Sequence, residues 1–148
     1  MRLVMLFFLF CNGIFCQNPF DLIEQYTKQK SLESYSNHLE DIGYDAVPED
    51  NTDAEQHYRS GNTNIFLTAS TCNHIVITST NPDFDKGIES ELHEQGDKLT
   101  TTTTHGRKKH SWYDKLENNY FVLVNPNGNY ELYYASCTNT KPLTIGQP

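Results

Sequence analysis

The sequence has little that could supply covalent chemistry or a membrane anchor. Only four of its 148 residues are cysteine, and Cys11 and Cys16 fall within the first sixteen. Those sixteen, MRLVMLFFLFCNGIFC, carry one basic residue, then an apolar run from Leu3 to Phe10, then the small or polar Cys11, Asn12 and Gly13. A bilayer takes about 20 apolar residues, so the run is too short to cross one, and its layout is that of a secretory signal peptide. Cleavage is expected near Cys16–Gln17. That would give a signal peptide over 1–16 and a single secreted, extracellular domain over 17–148. No later apolar run approaches spanning length, so no membrane span is expected. There is no Asn-x-Ser/Thr acceptor either, and N-glycosylation is not expected.

Basic charge is scarce as well. Eleven Lys and Arg face 19 Asp and Glu, a net charge of −8, which falls to about −9 once Arg2 leaves with the leader. Phosphate binding rests on basic footprints, so no nucleic-acid partner is expected. The chain lacks a Gly-x-Ser-x-Gly elbow and a His-Glu-x-x-His motif, and neither an enzyme nor a cofactor is expected. His105 and His110 lie five apart with no carboxylate or cysteine set in register, so no metal is expected there. With the leader removed, Cys72 and Cys137 remain. In a secreted chain they most simply form one disulfide, the alternative being that each bridges to another chain.

About 132 residues are left, enough for one domain that buries roughly two-thirds of its unfolded surface. A helix is expected over about 21–42, because Leu22, Ile23 and Tyr26, then Leu32, Tyr35, Leu39 and Ile42, recur at steps of three and four. Asp21 and Glu24 resemble a capping box, Gly43 sits where helices stop, and the stripe loses phase near Lys30–Ser31. Residues 44–63 are acidic and turn-rich and predict a surface loop. A β-rich stretch over 64–137 is expected to follow. Its strands are NIFLTAS at 64–70 and HIVITS at 74–79, a short one around Ile88–His93, and one through Leu99–Thr104. The segment 81–87 reads as a loop by its Pro, Asp and Gly, and 105–110 (HGRKKH) as a solvated basic loop.

The most regular piece is YFVLVNPNGNYELYYASC at 120–137. Asn125, Pro126 and Gly128 fit a type I turn finished by a left-handed glycine, which places Val124 opposite Tyr130, Val122 opposite Leu132 and Tyr120 opposite Tyr134. One face is then apolar or aromatic throughout. The other mixes Phe121, Leu123, Tyr133 and Ala135 with Glu131 and Cys137. A ribbon apolar on both faces needs cover on both, from a second sheet or from closure into a barrel around a cavity.

The segment 111–137 resembles the late strand pair of secreted lipocalins similar to apolipoprotein D and its insect and tick relatives. Its aromatic strand, tight turn and returning strand ending in Ser136–Cys137 carry that likeness, with Cys72 standing about where an earlier strand cysteine lies. The Gly-x-Trp signature and the C-terminal helix of that family are missing. In those relatives the two cysteines bond to partners near the termini, so a Cys72–Cys137 bond would be a rewired pairing. The resemblance implies a mainly β fold, an antiparallel meander forming a small, complete or incomplete, lipocalin-like barrel with an N-terminal helix. It also implies a carrier of a small apolar ligand, with Tyr120, Val122, Tyr130, Leu132 and Tyr134 lining the cavity. The alternative is a secreted effector or interaction protein that binds an extracellular protein partner and has no ligand pocket.

Overall fold

The computed structural model describes residues 18–29, 31–52, 54–69, 73–114 and 118–136. The expected helix is two helices, α1 (Pro19–Lys28) and α2 (Leu32–Asp41), separated where the apolar stripe loses phase. The cap of α1 is not the Asp21–Glu24 pair but Asn18, whose Oδ1 accepts from the Phe20 N–H at 3.0 Å, with Pro19 opening the first turn. Ser31 caps α2 in the same way, accepting from Ser34 N–H at 3.1 Å.

Eight antiparallel strands follow among the described residues: β1 (Asp45–Ala46), β2 (Glu55–Ser60), β3 (Thr63–Thr68), β4 (Asn73–Ser79), β5 (Thr100–Thr104), β6 (Arg107–Tyr113), β7 (Asn119–Val124) and β8 (Tyr130–Ser136). They form one sheet in the order β1-β2-β3-β4-β8-β7-β6-β5. The protein is therefore a mainly β antiparallel meander with an N-terminal helical pair. The sheet is open, with β1 and β5 as its edges.

Four expectations need correction. Residues 81–93 are neither a loop nor a strand but the start of a third helix, α3 (Pro82–Gln95). Asn81 caps it by accepting from Asp83 N–H, Pro82 opens it, and Phe84 and Ile88 are buried four residues apart with Leu92 packed beside them. That four-residue step outweighs the apparent alternation of Ile88, Ser90 and Leu92. The acidic stretch 44–63 contains β1 and β2, and the basic stretch 105–110 is a two-residue turn running into β6.

The chain thus reads as helix and four-stranded meander, twice over, with the last strand of each meander paired at the centre. Val76 stands opposite Tyr133 in that seam. Counting outward from it, Ile65 and Tyr120, Leu67 and Val122, and Tyr58 and Trp112 hold corresponding places. All six face the three helices.

Because side chains alternate along each strand, one face of the sheet carries the core and the other does not. The covered face contributes Ile65, Leu67, Ile75, Ile77, Val122 and Leu132, all fully buried, against Leu22, Ile23, Tyr35, Leu39, Phe84 and Ile88 from the helices. Each such aliphatic side chain contributes about 1.5–3 kcal/mol relative to exposure. Tyr35, buried among them, satisfies its hydroxyl by donating to the Leu22 carbonyl at 3.0 Å.

Candidate functional site

The hairpin register is the one the turn chemistry predicts. Val124 pairs with Tyr130, Val122 with Leu132 and Tyr120 with Tyr134. Asn125 N–H donates to the Asn129 carbonyl, and Gly128 holds φ 88°, the left-handed geometry that closes the loop. All five candidate ligand residues therefore share one face, the one beneath the helices. Val122 and Leu132 have no exposed surface, and Tyr134 is buried in an edge-on contact with Tyr26. Burial holds the phenols of Tyr134 and Tyr26 well above their ordinary range, that of Tyr26 at about 12. Tyr130 lies at one end of the row and donates to Glu89 of α3 at 3.1 Å.

Tyr120 lies toward the other end, packed against Tyr134 at 4.7 Å and stacked on Trp112 at 5.4 Å. Beside it a cleft of about 360 Å³ opens between helices and sheet, lined by Phe20, Glu91, Gln95, Lys98, Trp112 and Tyr120. Burial, then the carboxylates of Asp114, Glu91 and Glu24, push the Tyr120 phenol up to about 12. It enters that cleft as a neutral hydrogen-bond donor.

The face away from the helices has a different character. Its central row runs His57, Phe66, Val76, Tyr133, Phe121 across β2, β3, β4, β8 and β7. His57 stacks under Phe66 at 4.3 Å, and Phe121 stacks on Tyr133 at 4.4 Å with the Lys109 ammonium 4.2 Å from the Phe121 centroid. Phe66 is 39% exposed. A groove of about 590 Å³ runs over this row between Asp50, His57, Phe66, Val76, Glu131 and Tyr133.

Two polar clusters flank the aromatic row. His57 is held at both ring nitrogens, Nδ1 2.8 Å from Asp50 Oδ2 and Nε2 3.0 Å from Asn64 Oδ1. Neither nitrogen is free to act on a bound molecule, so His57 is a fixed support for Phe66. Glu131 accepts from Tyr133 Oη and Asn125 Nδ2, both at 2.6 Å, and from Arg107 at 3.1 Å. Burial alone would raise its carboxyl. The two hydrogen bonds and the guanidinium together hold it below the ordinary carboxylate range. Tyr133 is driven the other way, to about 12, by burial and then by Glu131.

The hairpin's second face was visible in the sequence as Phe121, Leu123, Tyr133 and Glu131. Phe66 and His57 were not singled out there. The signal available was the strict alternation Ile65–Phe66–Leu67, which must send one large ring to the face opposite the core. Cys72, Cys137 and residues 1–16, where a signal peptide is expected, lie outside the described residues. Among the described residues no group of three or more metal-binding side chains assembles, and no helix is long and apolar enough to cross a membrane. No family model matches the chain, and no curated protein or solved structure does.

Proposed function

We propose that the chain is an exported, non-catalytic interaction protein whose helix-free sheet face receives an extracellular protein partner. The observation that carries this reading is the row His57–Phe66–Val76–Tyr133–Phe121. An antiparallel sheet covered on one side normally turns polar residues to the other. Here that side offers stacked rings and a branched aliphatic residue in one line, flanked by Glu131, Arg107 and Lys109, the layout of an interface core with a polar rim. Export rests on the leader of residues 1–16. The test is affinity capture from the extracellular fluid of the source, with the wild-type chain beside a Phe66→Glu, Phe121→Glu variant of unchanged thermal stability. A partner held by the wild type and lost by the variant supports the reading, and capture that is equal or absent at micromolar concentration refutes it.

A second reading, a carrier of a small apolar molecule in keeping with the lipocalin resemblance, is favoured by the cleft beside Tyr120. Phe20 and Trp112 would hold the apolar body of the ligand and the Tyr120 hydroxyl its polar end. Val122, Leu132 and Tyr134 stand behind that wall and would meet a ligand only if the helices moved aside. Trp112 is the only tryptophan, so its emission reports directly on occupancy. Saturable quenching by a fatty acid or retinoid, lost in Tyr120→Ala, is the expected result. Unchanged emission across such ligands ends this reading.

A further inference from the structure

The two edges of the sheet are not alike. The β1 edge is two residues long, begins with Asp45, and is followed closely by Pro48. Short length, charge and proline are the usual means of making an edge unfit to pair. The β5 edge has none of them. It is five consecutive threonines, every one exposed, and its sole sheet partner among the described residues is β6.

Its geometry shows which backbone groups are on offer. The turn into β6 is the two-residue His105–Gly106, with φ 50° and 76°, the double left-handed form of a type I′ hairpin. Thr104–Arg107 is then the closing pair, and bonding alternates along the ladder. Thr100, Thr102 and Thr104 bond to β6, while the N–H and C=O of Thr101 and Thr103 point outward.

The charge around this edge runs against that of the chain. Lys98, Arg107, Lys108 and Lys109 are four of the eleven basic residues, within twelve positions of a protein of net charge −8. We propose that β5 accepts an extended, acidic strand of a partner protein as a ninth strand of the sheet. Such a strand would lie about 10 Å from the β6 backbone, two strand spacings away, within reach of lysine side chains. Successive residues of β6 point to opposite faces, so Lys108 meets acidic side chains on the helix side; Lys109, on the bare side, lies over Phe121 of β7 and meets the incoming strand only by leaving that ring.

Two other occupants fit less well. A second copy would bring its own Lys108 and Lys109 against the same charges. A sulfated glycan needs basic groups that converge, whereas these diverge, and Arg107 is already held by Glu131. This inference concerns the edge and does not require a partner on the bare face, although Lys109 borders both.

The test titrates the full chain with three short peptides: an alternating Glu–Thr sequence, the same sequence N-methylated at alternate backbone nitrogens, and a Lys–Thr counterpart. Amide shifts of Thr101 and Thr103 are the readout. The expected result is binding of the Glu–Thr peptide alone, weakened about tenfold or more by Lys108→Glu with Lys109→Glu and abolished by Thr103→Pro, which removes an outward N–H. Equal binding of the N-methylated peptide would show that charge alone is recognised and overturn the proposal. That arm needs no variant to fold. A heparin oligosaccharide that binds regardless of Thr103→Pro, or a dimer dissolved by Thr103→Pro, would overturn it in favour of a glycan or a second copy.

Discussion

The ring of Phe121 stacks on that of Tyr133, centroids 4.4 Å apart and planes 9° from parallel, across the β7–β8 ladder on the face away from the helices. Among the described residues no helix covers either ring, and the pair is held by its own stacking, by Lys109 over Phe121 and by the Tyr133 hydroxyl on Glu131. A double-mutant cycle of Phe121→Ala and Tyr133→Ala in urea denaturation is expected to give a coupling of about 0.5–1.5 kcal/mol. Near-zero coupling would mean that the rings are merely adjacent.

The two faces should respond differently to truncation. Leu132 is fully buried at the centre of the covered face, and Leu132→Ala is expected to destabilise by about 2–5 kcal/mol through lost burial and the cavity left behind. Phe66→Ala removes a larger side chain from the bare face, yet should cost no more than about 1 kcal/mol. Equilibrium unfolding of both variants checks this. A reversed order would place the core on the wrong side of the sheet.

How much of this was readable from sequence depended on whether the local signal was unambiguous. Asn125-Pro126-Asn127-Gly128 specifies one turn and hence one register, and β7 and β8 follow from it. The stripes of α1 and α2 were equally plain. The third helix was not, because Ile88–Ser90–Leu92 satisfies a period of two and only Phe84 restores the period of four, while Asn81-Pro82 can begin either a helix or a loop. The strand β2, EQHYRS, lacks branched residues and exists because β3 pairs with it across the Gly61–Asn62 turn. Alternation told that the hairpin has two greasy faces. It could not tell which one the helices would cover, since that is decided by contacts distant in sequence.

Acid should reveal Glu131. Its folded carboxyl titrates below the ordinary value, so the unfolded chain takes up the proton first as pH falls. The stabilisation it provides is present above the unfolded value of about 4.3 and disappears as pH drops through the folded one. Glu131→Gln should flatten the acid limb of stability against pH in that window and leave the slope near neutrality unchanged. Parallel limbs for variant and wild type would remove Glu131 from the linkage.

His105 is the only non-glycine with positive φ among the described residues. It occupies the first corner of a type I′ turn, where Asn followed by Gly is the favoured pair. His105→Asn is expected to stabilise by a few tenths to about 1 kcal/mol, and His105→Val, a branched side chain in left-handed backbone, to destabilise. Thermal melts of the two variants should therefore move in opposite directions.

The last prediction concerns Cys72 and Cys137, both outside the described residues. Without residues 1–16 they are the two cysteines left, and in an exported chain two cysteines most simply bond to each other. The Cys72–Cys137 bond is therefore expected within one molecule. Mass mapping of the unreduced protein is expected to yield the linked pair from a monomer, and reduction to lower stability by about 4 kcal/mol if the chain-entropy account of a loop this long holds. Linkage found only between molecules would instead mean that each cysteine bridges to another chain.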